Sequence, residues 1–204
     1  MPVHDLNADG RPDFVALVSQ EHEQIAAFLN QGDLQFHIQT LWTGPDLTFG
    51  SSGIELVDLD ADGDQDILYT NGDAFDNGFV NPSHGVQWLE NRGELAFVYH
   101  RIADLTGAYR ALPADLDLDG DLDIVAVAWI PGQVQPANVL DQPLASIIIL
   151  EQTARGVFVR HTLEEDSLFH ASLEVADFDG DGDMDFAVGS HSLSNTQQLP
   201  HWLE

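Results

Sequence analysis

A nine-residue acidic segment occurs four times along the chain of 204 residues. It is DLNADGRPD at 5–13, DLDADGDQD at 58–66, DLDLDGDLD at 115–123 and DFDGDGDMD at 177–185, with starts 53, 57 and 62 residues apart. Repetition at this period is typical of architectures in which each repeat is one supersecondary unit that buries its apolar face against its neighbours. The chain is therefore predicted to consist of four similar units.

The residue types of the segment indicate a binding site for a hard cation. Positions 1, 3, 5 and 9 are Asp, apart from Asn7 at position 3 of the first copy, and position 6 is always Gly. Alternate carboxylates on a tight turn converge on one point, and an all-oxygen ligand set of this kind suits Ca²⁺. Glycine permits the positive φ that folds the turn around an ion. Position 7 is Arg in one copy and Asp in the others, which indicates that its backbone carbonyl is the ligand.

Two other interpretations of the segment are weaker. An EF-hand loop needs a bidentate Glu at position 12 and flanking helices. Position 12 here is Ala16, Tyr69, Ala126 or Val188, and the flanks, such as DFVALV and DIVAVAW, are rich in strand-forming residues. Plain Asp/Gly hairpin turns would explain a single copy, but four copies with the same ligand spacing favour calcium binding.

The stretches between the segments repeat one order of predicted strands. An apolar strand follows each segment, then a variable connection, then QIAAFLNQG, GVQWLENRG, ASIIILEQT or LPHWLE. In the first three units a further strand follows, such as LQFHIQTL, and another, such as GIELVDLD, leads into the next segment. Four short antiparallel strands in a unit of about 50–60 residues are typical of a β-propeller blade.

The acidic segment between two strands, followed by WLEN and a strand that contains His, resembles the FG-GAP/VCBS repeat of calcium-binding β-propellers. This repeat is similar to the blades in the head of integrin α-subunits. The resemblance implies an all-β propeller segment with blades at about 1–48, 49–106, 107–167 and 168–204. The last blade would lack its outermost strand, and rings of this family usually have more than four blades. The segment is therefore expected to belong to a larger ring.

The same resemblance implies the calcium ligands, with about one ion in each of the four loops. The side chains at positions 1, 3, 5 and 9 and the carbonyl at position 7 would bind the ion. They belong to Asp5, Asn7, Asp9, Arg11 and Asp13; Asp58, Asp60, Asp62, Asp64 and Asp66; Asp115, Asp117, Asp119, Asp121 and Asp123; and Asp177, Asp179, Asp181, Asp183 and Asp185.

The charge of the chain excludes some partners. The formal net charge is −29, with six Arg and no Lys, so nucleic acid and anionic membranes are poor partners. The longest apolar run, 124–130, is too short to span a membrane. There is no Cys, hence no disulfide and no thiolate metal site. Loosely tuned calcium sites need millimolar calcium, so an extracellular or periplasmic location is expected, although no signal peptide is visible.

Some residues outside the acidic segments are also candidates for function. His37, His100 and His161 recur in register, which favours packing or blade-to-blade hydrogen bonds over a second metal. The connections 71–85, 131–144 and 191–200 are long and differ between units, and binding residues concentrate on such loops. They are expected to share the face opposite the calcium loops. The candidate ligand-binding residues there are Phe75, Phe79, His84, Trp129 and His191.

Together these features predict a non-enzymatic, calcium-binding propeller module that presents a rigid scaffold to a protein or glycan partner, as in adhesion. A homodimer, or further blades of a parent protein, would complete the ring. The alternative is the propeller domain of a carbohydrate-active enzyme, either a polysaccharide lyase or a hydrolase, or a lectin. An enzyme would need an acid/base or Arg constellation, for which only Arg110 and the loop histidines qualify.

Overall fold

The computed structural model describes residues 2–19, 21–72, 74, 78–191 and the backbone of 201–203. The described elements are β-strands together with one short 3-10 helix, Ala137–Asp141. The strands form four separate antiparallel sheets. The all-β prediction is therefore confirmed. Within the described residues, no helix has the length and apolar character needed to cross a membrane.

Within every sheet the strands lie side by side in chain order. The first sheet contains β1 (Val3–His4), β2 (Asp13–Val18), β3 (Gln24–Gly32) and β4 (Gln35–Thr43). The second contains β5 (Gly53–Val57), β6 (Asp66–Thr70), β7 (Gly85–Asn91) and β8 (Phe97–Asp104). The third contains β9 (Ala108–Ala114), β10 (Asp123–Ala128), β11 (Ala145–Ala154) and β12 (Val157–Glu165), and the fourth β13 (His170–Ala176), β14 (Asp185–Ser190) and β15 (His201–Leu203).

The sheets pack face to face in chain order, and the apolar core lies between them. Val15 and Ile25 of the first sheet meet Ile67 and Leu89 of the second. Trp88 and Leu68 of the second meet Ile124 and Leu150 of the third, and Val125 and Val127 of the third meet Phe186 and Leu173 of the fourth. A middle strand is covered on both faces, so its sequence is apolar over a continuous run, as in IVAVA of β10, which follows Asp123; every residue of this strand is buried.

In the second, third and fourth sheets the first strands lie next to one another. β5 contacts β9, and β9 contacts β13, which makes these the inner strands of the arc. Each acidic segment connects the first strand of a sheet to the second, so the four loops lie at the same end of their sheets. The long connections 71–85 and 131–144 leave the opposite end of the second strands, as the sequence predicted.

Candidate metal centres

The acidic segments form tight turns with two residues in the left-handed region. Gly63 at position 6 has φ 96°, and the other position-6 glycines are similar. Position 4 also has a positive φ, although it is Ala61 in the second loop (φ 56°), Ala8 in the first and Leu118 in the third. A residue with a Cβ pays roughly 1 kcal/mol or more for this conformation. This strain at position 4 is not evident from the residue types there, which include Ala and Leu.

The side chains at positions 1 and 5 are turned inward by hydrogen bonds from the backbone of the loop. In all four loops the position-1 carboxylate accepts the amide of the position-6 glycine, at 2.9 Å from Gly63 to Asp58 and 3.1 Å from Gly120 to Asp115. The position-5 carboxylate accepts the amide of position 7, at 2.9 Å from Asp64 to Asp62. These bonds hold the carboxylates around the centre of the turn.

Three of the four loops bring carboxylates together as a cation site requires. The groups are Asp58, Asp60 and Asp62; Asp115, Asp117 and Asp119; and Asp177, Asp179 and Asp185, each with oxygens within 4.8 Å of one another. In the first loop, Asn7 replaces one carboxylate, and no such group is found among its described residues.

The second loop contains a carboxylate oxygen that is buried and has no hydrogen-bond partner. The side chain of Asp60 is only 1% exposed, and its Oδ1 atom has no hydrogen-bond partner. Oδ1 of Asp115 in the third loop is in the same situation. A buried, unpaired carboxylate oxygen is strongly unfavourable. The residues present therefore fit a hard cation bound by oxygen ligands.

In the first three sheets the position-9 carboxylate fastens the loop to the third strand. Oδ2 of Asp66 accepts the amide of Leu59 at 3.1 Å, and Oδ1 accepts the amide of Asn91 at 2.7 Å. Asp13 and Asp123 make the same two bonds in their sheets. We call this arrangement the position-9 clasp. Burial raises the pKa of Asp66 to about 6 and also raises the pKa of Asp123.

The position-9 carboxylates differ in their distance from the other carboxylates of their loops. Asp185 lies within the carboxylate group of the fourth loop, whereas Asp66 and Asp123 lie outside the groups of theirs. In the same fourth loop, a hydrogen bond with Asp181 raises the pKa of Asp183 to about 6, and that bond lowers the pKa of Asp181. Carboxylates this crowded share protons because their charges repel.

An amide side chain adds a further hydrogen bond to the clasp. This role of the amide residues was not among the predictions from the sequence. The side-chain amide of Asn91 donates to the position-8 carbonyl of Gln65 at 3.1 Å, and Gln152 donates to Leu122 at 3.1 Å. Asn30 does the same in the first sheet. A signal was visible, because FLNQG, LENRG and LEQTARG carry an amide residue in register, with Gly two or four residues later.

An arginine from the next sheet reaches the second loop. Arg155, on the hairpin between β11 and β12, places Nη2 2.9 Å from Oδ2 of Asp60 and 3.2 Å from Oδ2 of Asp62. In the first loop, Nη2 of Arg11 lies 2.5 Å from Oδ2 of Asp9. Both guanidinium groups therefore occupy carboxylate oxygens that a metal ion would use. Arg155 lies 95 residues from Asp60 in the sequence, so no local pattern could reveal the contact.

Two of the three recurring histidines form hydrogen bonds within their own sheets. Nε2 of His100 lies 2.8 Å from Oε2 of Glu90, and Nε2 of His161 lies 2.7 Å from Oε2 of Glu151. Each pair joins the third and fourth strands of one sheet. His37 is paired in register with Leu29, which has no carboxylate. The structural role is as predicted, but the expected blade-to-blade hydrogen bonds are corrected to bonds across one sheet.

The long connections of the second and third sheets pair with each other. Gln135 accepts the amide of Val80 at 2.9 Å and donates its own amide to Gly78 at 2.8 Å. Phe79 bridges to Gln135 and remains exposed. His191 is exposed as well, and Phe75 lies outside the described residues.

The other two candidates on this face, His84 and Trp129, belong to the core, which corrects the predicted ligand site. Trp129 is fully buried, and its indole nitrogen donates to the carbonyl of His191 at 2.9 Å. Nδ1 of His84 accepts the amide of Gly107 at 3.4 Å. Burial, with a smaller effect of the Arg101 charge, lowers the pKa of His84 to about 4. Neither side chain can touch a ligand without rearrangement.

An arc of antiparallel sheets, with acidic loops at one end and long connections at the other, defines a β-propeller-type repeat protein. The chain is similar in structure to an Agrocybe aegerita lectin described as recognising non-reducing terminal N-acetylglucosamine, with a TM-score of 0.55 and 19% identity. The match covers 91% of this chain and 46% of the lectin chain, so this chain spans about half the length of that protein. The likeness concerns the fold.

The family follows from two matches within the chain. Residues 5–69 match the FG-GAP-like repeat, and residues 171–198 match the FG-GAP repeat. The chain therefore contains FG-GAP-type repeats in these two regions, as its acidic segments predicted. No curated protein matches it.

Proposed function

We propose that this chain is a calcium-binding propeller module whose acidic loops each bind one ion. The observation that carries the proposal is the unpaired, buried Oδ1 of Asp60 among three converging carboxylates, in a loop type that recurs four times. The side chains at positions 1, 3 and 5 and the carbonyl at position 7 would hold the ion. Position 9 would orient the loop through its clasp, with Asp185 also available as a ligand.

The chemistry of the donors supports calcium over other metals. The grouped ligands are carboxylates, and the chain has no Cys. Hard oxygen donors in an irregular turn suit Ca²⁺, whereas Zn²⁺ prefers sulfur and imidazole. Bound calcium would supply the positive charge that relieves carboxylate repulsion. The function of the ion would then be to stabilise the loops.

Thermal unfolding with calcium and with a chelator tests this proposal. Binding to the native state alone adds about 2.7 kcal/mol per site at a hundredfold excess of ligand over Kd. Calcium should therefore raise the melting temperature clearly, and Asp60→Asn should reduce the gain. Asp141→Asn is the matched control, because Asp141 is exposed and lies outside the loops. Identical melting curves with calcium and chelator would exclude the proposal.

The proposed role of the module is to present a rigid surface to a protein or glycan outside the cytoplasm, with no catalytic step. The face of the long connections supports this role, because Phe79 and His191 are exposed there above paired loops. The specificity described for the Agrocybe aegerita lectin makes terminal N-acetylglucosamine the first glycan to test. Glycan-array binding that Phe79→Ser weakens would support the face, provided that Val157→Ser, an exposed change at the opposite end of the sheets, leaves binding unchanged. Cleavage of any glycan on the array would contradict a purely binding role.

A further inference from the structure

The first sheet has one broad face packed on the second sheet and one face open to solvent, which we call the leading face. A cross-strand row of Val3, Phe14, Phe28 and Ile38 runs across all four strands of this sheet in register. Val3 and Ile38 are each 59% exposed, and Phe14 stacks on Phe28 with ring centroids 4.5 Å apart. A continuous apolar row of this kind is unusual on a free surface.

The same row is buried in the sheets that follow. In the second sheet it contains Ile67 and Leu89, and in the third it contains Ile124 and Leu150; all four are fully buried. In each case the preceding sheet covers the row. The leading face of the first sheet therefore has the composition of a sheet-to-sheet interface.

Charge distribution strengthens this conclusion. The three strands β2, β3 and β4 contain only one carboxylate, Asp13, and one histidine, His37. Asp13 is buried in the position-9 clasp. In a chain with a net charge of −29, this sheet is almost free of charge. Two copies could approach through it with little desolvation of charged groups.

The fourth sheet exposes the complementary surface, which we call the trailing face. Ala187 of β14 is half-buried there. The equivalent residues by register are Val15, Leu68 and Val125, and each is fully buried against the following sheet. The chain thus contains three internal interfaces between a trailing face and a leading face, and among the described sheets one further face of each kind has no sheet packed on it.

We propose that the leading face of one copy binds the trailing face of a second copy, so that copies associate head to tail. The contact between copies would repeat an interface that the chain already forms three times between its own sheets. Such heterologous contacts form closed rings if the rotation closes and filaments if it does not. The proposal does not depend on calcium binding.

Analytical ultracentrifugation of the whole chain at micromolar concentration tests the proposal. The chain should sediment as a dimer or larger, with and without calcium. Ile38→Arg on the leading face and Ala187→Arg on the trailing face should each give monomers. An equimolar mixture of the two variants should restore a dimer, since one intact face of each kind remains. Val159→Arg, an exposed change on the outer strand β12, is the control and should associate normally.

Each arginine substitution makes the net charge of the chain less negative, so it weakens the electrostatic repulsion between copies. Loss of association in these variants would therefore reflect disruption of the contact and not increased repulsion. A wild-type chain that stays monomeric at about 100 μM would overturn the proposal, and this measurement needs no variant to fold. Association that survives Ile38→Arg would also overturn it. If Ala187→Arg still associates while Ile38→Arg does not, the copies pack leading face to leading face, and the head-to-tail arrangement is wrong.

Discussion

Replacement of His84 by Asn should remove a defined part of the pH dependence of stability. His84 is buried, and its pKa is about 4 in the folded chain, compared with an ordinary value of about 6.5. The unfolded chain therefore takes up this proton more readily than the folded chain. The stability that neutral His84 contributes is complete above about pH 6.5 and is lost progressively as the pH falls towards 4.

The size of the effect follows from the two pKa values. Between pH 7 and pH 5 the loss of unfolding free energy from this group is about 2 kcal/mol, and by pH 4 it reaches about 3 kcal/mol. For a chain of this length, about 2 kcal/mol corresponds to a decrease of roughly 4–8 °C in melting temperature. Asp66 works in the opposite direction, since burial raises its pKa to about 6 and protonation favours the folded state. The contribution of His84 to the pH dependence of stability is therefore obtained by comparing the wild type with a variant that lacks this histidine.

Urea unfolding of the wild type and His84→Asn at pH 7 and pH 5 measures the difference. Asn keeps an oxygen close to the position of Nδ1, which accepts the Gly107 amide, but it does not titrate. The loss of stability between the two pH values should be smaller in His84→Asn by about 2 kcal/mol. His37→Asn, on an exposed position of β4, is the control and should follow the wild type. Equal pH dependence in wild type and His84→Asn would refute the argument.

Three further changes test the loops. Arg155→Ala should raise the calcium affinity of the second loop by up to about fivefold in isothermal titration, because the guanidinium competes with the ion for the carboxylates of Asp60 and Asp62. A lower affinity in this variant would contradict competition. Asn7→Asp should tighten the first loop, which is expected to be the weakest, because ligand charge raises affinity; an unchanged titration contradicts this. In chelator, Gly63→Ala should lower the free energy of unfolding by about 1–2 kcal/mol because of its φ of 96°. An added Cβ meets nothing within 4 Å, so no steric clash contributes. Ala61→Gly should not destabilise the chain.

The repeat in the sequence was sufficient to predict the sheets and the placement of the loops. The spacing of Asp58, Asp60 and Asp62 is local, and a tight turn of nine residues brings alternate side chains together whatever the rest of the chain does. The apolar strands on either side of each loop pair with their sequence neighbours. Local patterns are therefore enough where partners are close in the chain.

Contacts between distant residues could not be predicted in this way. Arg155 reaches Asp60 because two sheets stack, and nothing near either residue specifies that contact. His84 and Trp129 were assigned to a surface because they lie in or beside long connections. Both side chains are buried against other parts of the chain: Gly107 lies against His84, and His191 accepts the indole N–H of Trp129. Burial of a loop residue depends on the partner loop, which single-sequence patterns do not encode.

The position-9 clasp has a consequence for how the chain opens. Asp66 holds two amides, that of Leu59 in its own loop and that of Asn91 in its own sheet. Breaking one clasp should therefore loosen its own loop and sheet first. In stacked repeats of this kind, opening starts at units with only one neighbour. In native-state hydrogen exchange, the amides of Leu59 and Asn91 should exchange together and more slowly than the equivalent amides of the first sheet. The sheets would then unfold one at a time, starting with those that have a single neighbour.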